Sequence, residues 1–199
     1  FSSYILTEWG YLCDGIGNIQ GDLKKYQPYN FSGVPLVVET IYDRIWKTAR
    51  KTGREEVLKK GLKISNTLMK LGIDRRRKIF KTIIDNLGGN LNMIVCGGAN
   101  LDPKYEKGMH DFGIEIYNGY GMTEIGIVSV EKSKNRRILN SGSVGAPFGY
   151  TKHRIDENGI LLIGGKTRAT RILVDGEVTS TLDDEWFSTG DMMRFENGR

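Results

Sequence analysis

The stretch NGYGMTE, which ends at Glu124, combines residue types that suit a polar, phosphate-bearing ligand. Gly119 and Gly121 remove side chains on both sides of Tyr120, whose ring can then lie flat against a purine. Thr123 can donate a hydrogen bond to a phosphate oxygen, and Glu124 is a hard oxygen ligand suited to Mg²⁺. A surface loop with an exposed acid is the alternative, but the order of these residues favours the ligand site.

Two further stretches supply groups that a nucleotide needs. In CGGANLD, the residues Gly97, Gly98 and Ala99 leave room for a flat ligand, although taken alone a plain strand-to-helix turn explains them better. In EWFSTGD, Asp191 follows Gly190, and a carboxylate so presented can accept hydrogen bonds from both hydroxyls of a ribose. Taken alone, this aspartate is equally typical of a β-turn.

The elements around these stretches predict an α/β fold with a layered, mostly parallel sheet. LNMIVC is typical of a buried strand that runs into the first glycine pair, and IEIYN predicts a second strand that ends at the glycine-rich stretch. Between them, Asp102 as a cap, Pro103 in the first turn and Gly113 as a stop predict a helix. Ligands of parallel sheets lie beyond the carboxyl ends of the strands, which is where both glycine clusters fall.

The remaining pattern predicts helices before this unit and a smaller, mostly β lobe after it. Apolar residues at helical spacing indicate one helix beginning near Pro35, a second spanning 57–69, and a third over 79–87. After residue 141, HRIDENGILLIGG and RILVDGEVTS each predict two short strands joined by a turn. We therefore predict part of a nucleotide-binding subdomain over 1–140 and part of a β-rich lobe over 141–199.

Composition narrows the class of protein. Of the 199 residues, 39% are hydrophobic and 27% are charged, as in globular proteins, and a net charge of +5 is too small and dispersed to indicate nucleic-acid binding. Cys13 and Cys96 form no metal-ligand spacing or disulfide framework, so we expect a reducing, cytoplasmic setting.

Three polar groups receive no functional role from the sequence. The basic run 75–78 suggests a solvated helix face, with contact to a membrane surface or to the phosphates of coenzyme A as the alternative. His110 and His153 have no partner at ligand or triad spacing, so we expect both at helix-surface or strand positions.

In order and spacing, these stretches resemble the AMP-forming acyl-CoA synthetases, particularly the long-chain fatty acid branch of the adenylate-forming superfamily. That branch carries a glycine-alanine turn, a YGMTE-like loop and a GWFxTGD-like stretch in this order. They stand here as GGANL, NGYGMTE and EWFSTGD, and the earlier VPLVVETIYDRIWK also resembles this branch. The resemblance covers nearly the whole chain and implies part of the N-terminal domain of such an enzyme.

The resemblance implies an activity and a set of site residues. Members join a fatty acid to AMP, release pyrophosphate, and pass the acyl group to the thiol of coenzyme A. ATP and Mg²⁺ are therefore implied, with Thr123 and Glu124 as catalytic residues and Glu124 as the metal ligand. Asp191 would bind the ribose hydroxyls. The implied nucleotide contacts are Gly97, Gly98, Ala99, Asn118, Gly119, Tyr120, Gly121, Met122, Thr123 and Asp191.

Departures from the family pattern leave alternatives open. The 199 residues contain no Ser/Thr/Gly-rich phosphate loop with a lysine, and they stop before the lobe that supplies the adenylation lysine. We therefore expect a central portion that lacks the N- and C-terminal parts of the same enzyme and has no adenylating activity alone. An adenylation domain that loads a carrier protein and a non-catalytic nucleotide-binding module remain alternatives. A nucleic-acid binder ranks last, because no aromatic residues interleave with the basic run.

Overall fold

The computed structural model describes residues 4–6, 10–12, 15–133, 135–166, 168–180, 185–196 and 198, and Cys13 lies outside them. The helices are α1 (Ile19–Tyr26), α2 (Pro35–Lys51), α3 (Glu55–Lys70), α4 (Arg76–Ile79), α5 (Lys81–Asn86), α6 (Pro103–Phe112) and α7 (Arg136–Leu139). The strands are β1 (Tyr4–Leu6), β2 (Gly10–Leu12), β3 (Asn30–Gly33), β4 (Met93–Cys96), β5 (Glu115–Met122), β6 (Gly126–Val130), β7 (Thr151–Ile155), β8 (Ile160–Gly165), β9 (Arg171–Val174), β10 (Glu177–Ser180) and β11 (Phe187–Met192).

A six-stranded sheet in the order β2-β1-β3-β4-β5-β6 organises the first part of the chain. Strands β3, β4 and β5 are parallel, whereas β1, β2 and β6 join antiparallel and extend the sheet at its two edges. Phe31, Ile94 and Ile116 stand in one register row across the parallel strands, and all three are fully buried. The predicted α/β fold with a parallel sheet is confirmed.

Helix α6 forms where the sequence predicts it, for the predicted reasons. The Asp102 carboxylate accepts a hydrogen bond of 2.8 Å from the backbone N–H of Lys104, and Pro103 occupies the first turn. Gly113 ends the helix at φ 88°, a left-handed conformation that favours glycine. Helix α6 connects the two neighbouring parallel strands β4 and β5.

The third predicted helix differs from the structure. Instead of one helix over 79–87, two short helices, α4 and α5, meet at Phe80. The Phe80 ring is buried and packs edge-on against Phe112, with the ring centroids 5.2 Å apart. Apolar spacing alone predicts one continuous helix. Spacing does not reveal the break, because Phe112, which packs against Phe80 at that point, lies on α6.

The second part of the chain is all β among its described residues. Strands β7, β8 and β11 form an antiparallel sheet in the order β11-β8-β7, and β9 and β10 form a hairpin. Asp175 and Gly176 join that hairpin with φ values of 51° and 86°, as a two-residue type I′ turn requires. The predicted strand pairs are therefore present. The domain division at residues 140 and 141 stays a prediction.

Side chains from both parts share a small core. Ile125 and Val128 from the β5–β6 region are buried with Leu161 and Ile163 of β8, and Tyr120 packs against this cluster. The β lobe is thereby held against the end of β5, next to the predicted site.

The basic run is not the solvated helix face that we expected. The Arg76 side chain is 9% exposed and pairs with Asp74 at 2.7 Å and Glu115 at 3.0 Å. Arg77 donates to the backbone carbonyls of Leu91, Gly113 and Gly89. Only Arg75 and Lys78 of this run are exposed. Among the described residues, no helix combines the length and apolar character needed to cross a membrane.

The expectation of a surface position is wrong for His110, which is fully buried. Its Nε2 accepts a 2.8 Å hydrogen bond from the Ile116 N–H, so Nδ1 carries the proton and donates to Asn140 Oδ1 at 2.7 Å. Burial lowers the pKa of this imidazole, which therefore stays neutral. His153 lies on β7, a strand position as expected, and packs against Phe195.

Candidate nucleotide site

The two glycine stretches lie side by side at the carboxyl ends of parallel strands. Cys96 pairs in register with Asn118, so the glycines that follow these residues in β4 and β5 begin at the same level of the sheet. A methyl group on Gly97 would lie 3.2 Å from the Gly119 carbonyl oxygen. Gly98 and Ala99 follow on the exposed side of this edge. The structure thus brings together the residues predicted to surround a base.

The sequence predicted that the strand ends at the glycine-rich stretch, but β5 continues through this stretch. It runs to Met122, turns at 123–125, and pairs back with β6. A methyl group on Gly121 would overlap the Gly126 carbonyl oxygen and lie 2.9 Å from the Ile127 Cα. Gly121 is therefore explained by close strand pairing, whereas Gly119 has no such overlap and leaves room at the site.

We expect Gly121→Ala to destabilise the β5–β6 pair by about 2–4 kcal/mol, because the neighbouring backbone must move to accept the methyl group. The change is measured as the shift in urea midpoint of the full-length gene product. Gly119→Ala is the matched control: its methyl group would meet the Ser129 carbonyl oxygen at 3.4 Å, an ordinary contact. Equal midpoints for the two variants would contradict the steric explanation.

Tyr120 and Asp191 are in direct contact although 71 residues separate them. The Tyr120 hydroxyl donates a 2.6 Å hydrogen bond to the Asp191 carboxylate. Burial, followed by this hydrogen bond, raises the pKa of Tyr120 to about 12, so the phenol stays protonated. The ring and the carboxylate therefore belong to one cleft.

A bulge in β11 presents Asp191 to this cleft. The register with β8 shifts between Ser188 and Met192, which frees the intervening residues from regular pairing. Within the bulge, the Thr189 hydroxyl donates to the Leu161 carbonyl at 2.9 Å and accepts from the Asp191 N–H at 3.1 Å. The aspartate is thereby anchored to β8 through its backbone, while its carboxylate remains exposed.

Thr123 and Glu124 occupy the turn between β5 and β6. Thr123 is exposed and Glu124 is half-buried, and neither side chain makes a hydrogen bond or ion pair with a described residue. The Ala169 N–H donates to the Glu124 backbone carbonyl at 2.7 Å, so the β lobe holds the turn without occupying the carboxylate.

A metal ion at this turn would depend on its substrate for most of its ligands. Within the described ranges, no three His, Cys, Asp or Glu side chains are grouped to hold a metal ion. Mg²⁺ is commonly bound by one or two carboxylates together with substrate phosphates and water, and the carboxylate of Glu124 fits that donor set.

Beneath Asn118 lies a buried acid that sequence reasoning missed. Glu106 is fully buried, and the Glu131 carboxylate and the Gly142 backbone both influence its carboxyl. Burial raises the pKa of Glu106 to about 7 and the charge of Glu131 adds to the shift, whereas the Asn118 amide and the Gly142 N–H oppose it. A sequence signal for the burial of Glu106 was available, because this acid lies three residues before Met109 on the apolar stripe of α6.

A separate cavity of about 500 Å³ lies between α1, α2, α3 and α5. Half of its eighteen lining residues are aliphatic, and none of the predicted site residues contributes to it. The groups that can bind a nucleotide lie instead around Tyr120 and Asp191. We therefore place the candidate site at the strand ends.

Comparison with known proteins identifies the family of this chain. Residues 12–178 match the family described as AMP-binding enzyme. The chain is 26% identical to fatty acyl-CoA synthetase A of Dictyostelium discoideum over 98% of its own length and 32% of the relative's. It is 25% identical to the long-chain-fatty-acid–[acyl-carrier-protein] ligase AEE15 of Arabidopsis thaliana, over 87% of the chain and 31% of the relative.

A solved structure supports the fold. The anthranilate CoA ligase AuaEII, in complex with anthranoyl-AMP, superposes with a TM-score of 0.59 at 18% identity, covering 90% of this chain and 31% of that one. The chain thus spans about a third of the length of these relatives. The family match includes both glycine stretches but ends before Asp191, whose place in the cleft depends on its bond to Tyr120. The chain belongs to the AMP-binding enzyme family, and the resemblance that its motifs suggested is confirmed.

Proposed function

We propose that this chain forms the nucleotide-binding centre of an ATP-dependent acyl-CoA synthetase. The full-length enzyme would activate a fatty acid as acyl-AMP, release pyrophosphate, and form the thioester with coenzyme A. The hydrogen bond between Tyr120 and Asp191 carries this proposal, because it joins two predicted nucleotide contacts that are 71 residues apart in the sequence. The names of the curated relatives support a fatty acid as the substrate.

The cleft suits the two halves of a nucleoside. Adenine would lie against the Tyr120 ring, with Gly97, Gly98 and Ala99 on its other side and Gly119 leaving the approach open. The Asp191 carboxylate would accept hydrogen bonds from the two ribose hydroxyls, for which an ionised carboxylate has enough lone pairs. In the free protein, the Tyr120 hydroxyl occupies one of these acceptor positions.

The turn after β5 suits the phosphates. The Thr123 hydroxyl would donate to a phosphate oxygen, and Glu124 would hold Mg²⁺ beside it. When bound, Mg²⁺ neutralises the negative charge that develops on the departing pyrophosphate. Because the Ala169 N–H fixes the Glu124 backbone, the carboxylate would be positioned before the substrate arrives.

Two variants of Tyr120 separate its ring from its hydroxyl. We expect Tyr120→Phe to bind ATP within about 3-fold of the wild type, because the ring remains and Asp191 is free for the ribose. Tyr120→Ala should weaken binding about 10- to 100-fold through lost stacking. Dissociation constants measured by isothermal titration on the full-length gene product provide the test, and similar losses for both variants would contradict the stacking role.

The activity is tested by fatty-acid-dependent exchange of pyrophosphate into ATP, using the full-length gene product. We expect exchange that requires both a fatty acid and Mg²⁺, followed by thioester formation when coenzyme A is added. Acyl transfer to a carrier protein, but not to coenzyme A, would show that the acyl acceptor is a carrier protein instead of coenzyme A. ATP binding without exchange would favour a non-catalytic module.

A further inference from the structure

The cavity between α1, α2, α3 and α5 is the feature that the proposed function leaves unused. Its volume of about 500 Å³ lies within the range of cavities that bind small molecules in proteins. Ile19, Ile41, Phe80 and Leu87 line it, and all four are buried core residues. A ligand in this cavity would therefore reach the apolar core of the α/β unit.

The lining also includes apolar side chains that remain in contact with water. Val57 on α3 is 67% exposed, and Ile79 at the end of α4 is exposed as well. A ligand that covers these side chains removes apolar surface from water on both sides of the contact, which favours binding. The cavity is thus suited to a ligand with an aliphatic portion.

The charges that line the cavity have one sign. Among its described lining residues, Arg44 and Arg54 are charged and no acid is present. Arg44 donates a hydrogen bond of 3.3 Å to the Gly17 carbonyl, and neither arginine makes an ion pair with a described residue. A guanidinium group pairs well with a carboxylate, so the second requirement on the ligand is an anionic head group.

The acids nearest to Arg54 in the sequence do not cancel this charge. Glu55 and Glu56 begin α3, but both pair with Lys59, at 3.3 Å and 2.9 Å, and neither lines the cavity. The local field at Arg54 therefore favours an anion that approaches from the cavity.

The cavity is separate from the place where an acid would react. Helix α2 starts beside the nucleotide site, because a methyl group on Gly98 would lie 3.7 Å from Val34 Cγ1. Arg44 is ten residues after Val34, or about 15 Å along the helix axis, and Arg54 lies beyond the end of α2. A carboxylate held by these arginines therefore lies away from the nucleotide, whereas a reacting acid must place its carboxylate beside it.

We propose that this cavity binds a long-chain fatty acid at a second site, distinct from the site of adenylation. The aliphatic chain would lie against Ile41 and Phe80, and the carboxylate would accept hydrogen bonds from Arg44 and Arg54. The choice of a fatty acid among amphipathic anions rests on the proposed function, because an enzyme that activates fatty acids encounters this class of molecule as its substrate.

The test is equilibrium dialysis of radiolabelled dodecanoate against the full-length gene product. A saturating acyl sulfamoyl-adenosine, which mimics the acyl-adenylate, occupies the reacting site during the measurement. We expect a single further dodecanoate to bind per chain. Ala49 is half-buried on α2 and lines the cavity, so Ala49→Phe should fill part of it and weaken this binding about 10-fold or more. Thermal unfolding of the variant shows whether its fold is intact.

Substitution of the arginines tests the same site without filling it. The double variant Arg44→Gln/Arg54→Gln should weaken dodecanoate binding by about 5- to 20-fold. Arg50→Gln is the matched control, because Arg50 is an exposed arginine of α2 that does not line the cavity. Dodecanol carries no charge, so the wild type and the double variant should bind it equally.

Several results would overturn the proposal. The absence of dodecanoate binding beyond the reacting site would do so, as would a folded Ala49→Phe variant that binds as tightly as the wild type. Equal dodecanoate binding by the double variant and Arg50→Gln would remove the head-group contacts. Dodecyl phosphate that binds where dodecanoate does not would replace the fatty acid by another anion.

Pyrophosphate exchange in the same preparations separates this proposal from the proposed function. Fatty-acid-dependent exchange without a second bound dodecanoate removes only the cavity site. Absent exchange, together with dodecanoate binding that Ala49→Phe weakens, removes the proposed function and leaves the cavity as a fatty acid site.

Discussion

Replacing Glu124 with glutamine in the full-length gene product should slow fatty-acid-dependent pyrophosphate exchange by about 100- to 1000-fold. Glu124 has no hydrogen bond or ion pair through its side chain to any described residue, so the change should leave the fold intact. What it removes is the negative charge that would hold Mg²⁺ beside the phosphates. The measurement is the exchange rate as a function of Mg²⁺ concentration.

Glu157→Gln provides the matched control for this experiment. Glu157 is an exposed acid in the turn between β7 and β8, and its side chain likewise makes no hydrogen bond or ion pair with a described residue. We expect its exchange rate to equal that of the wild type. Comparable rates for Glu124→Gln and Glu157→Gln at every Mg²⁺ concentration would remove Glu124 from the metal site.

Asp191→Ala should weaken ATP binding by about 10- to 100-fold. Hydrogen bonds to an ionised group typically contribute about 1.5–3 kcal/mol, and the substitution removes both ribose contacts while leaving the Tyr120 hydroxyl without its acceptor. The Asp191 side chain is exposed and its backbone remains anchored through Thr189, so the loss should appear in binding and not in stability. Isothermal titration with ATP measures the first, and thermal unfolding the second.

The sugar supplies a second test of Asp191. With 2′,3′-dideoxy-ATP, which lacks both ribose hydroxyls, the wild type and Asp191→Ala should bind equally weakly. Glu185→Ala is the control, because Glu185 is an exposed acid on the same lobe whose exposed ion pair with Lys152 contributes little. If Asp191→Ala and Glu185→Ala both bind ATP like the wild type, Asp191 does not contact the ribose.

Local sequence signals predicted the elements that local interactions determine. Asp102, Pro103 and Gly113 define α6 through caps that lie within the helix itself, and Asp175 and Gly176 define a hairpin through their own φ values. These signals are short in range, so residue type and spacing suffice to identify them. They also placed both glycine clusters correctly at one edge of the sheet.

The errors arose where distant residues decide the outcome. Arg76 is buried because Glu115 and the His110 carbonyl lie beside it, 39 and 34 residues further along the chain. His110 is buried because Asn140 and the Ile116 N–H satisfy its two nitrogens. No spacing rule within α4 or α6 reveals these partners. Each residue therefore had the appearance of a surface group.

The candidate site likewise combines features that local signals predict with contacts between distant residues. Residue types pointed to Tyr120 and Asp191 separately, and the family resemblance joined them in one site, but no local rule brings them together. Their contact depends on the bulge in β11 and on the packing of β8 against Ile125, neither of which is visible in a linear sequence. Glu106 was overlooked for the same reason, because Asn118 and Glu131, which influence the pKa of its carboxyl, lie outside α6.

The most direct test is a crystal structure of the full-length gene product with ATP and Mg²⁺. We predict that adenine lies against the Tyr120 ring, with the ribose hydroxyls within hydrogen-bonding distance of the Asp191 carboxylate and the phosphates beside Thr123. A nucleotide bound away from these three side chains, with the cleft between them empty, would contradict the assignment.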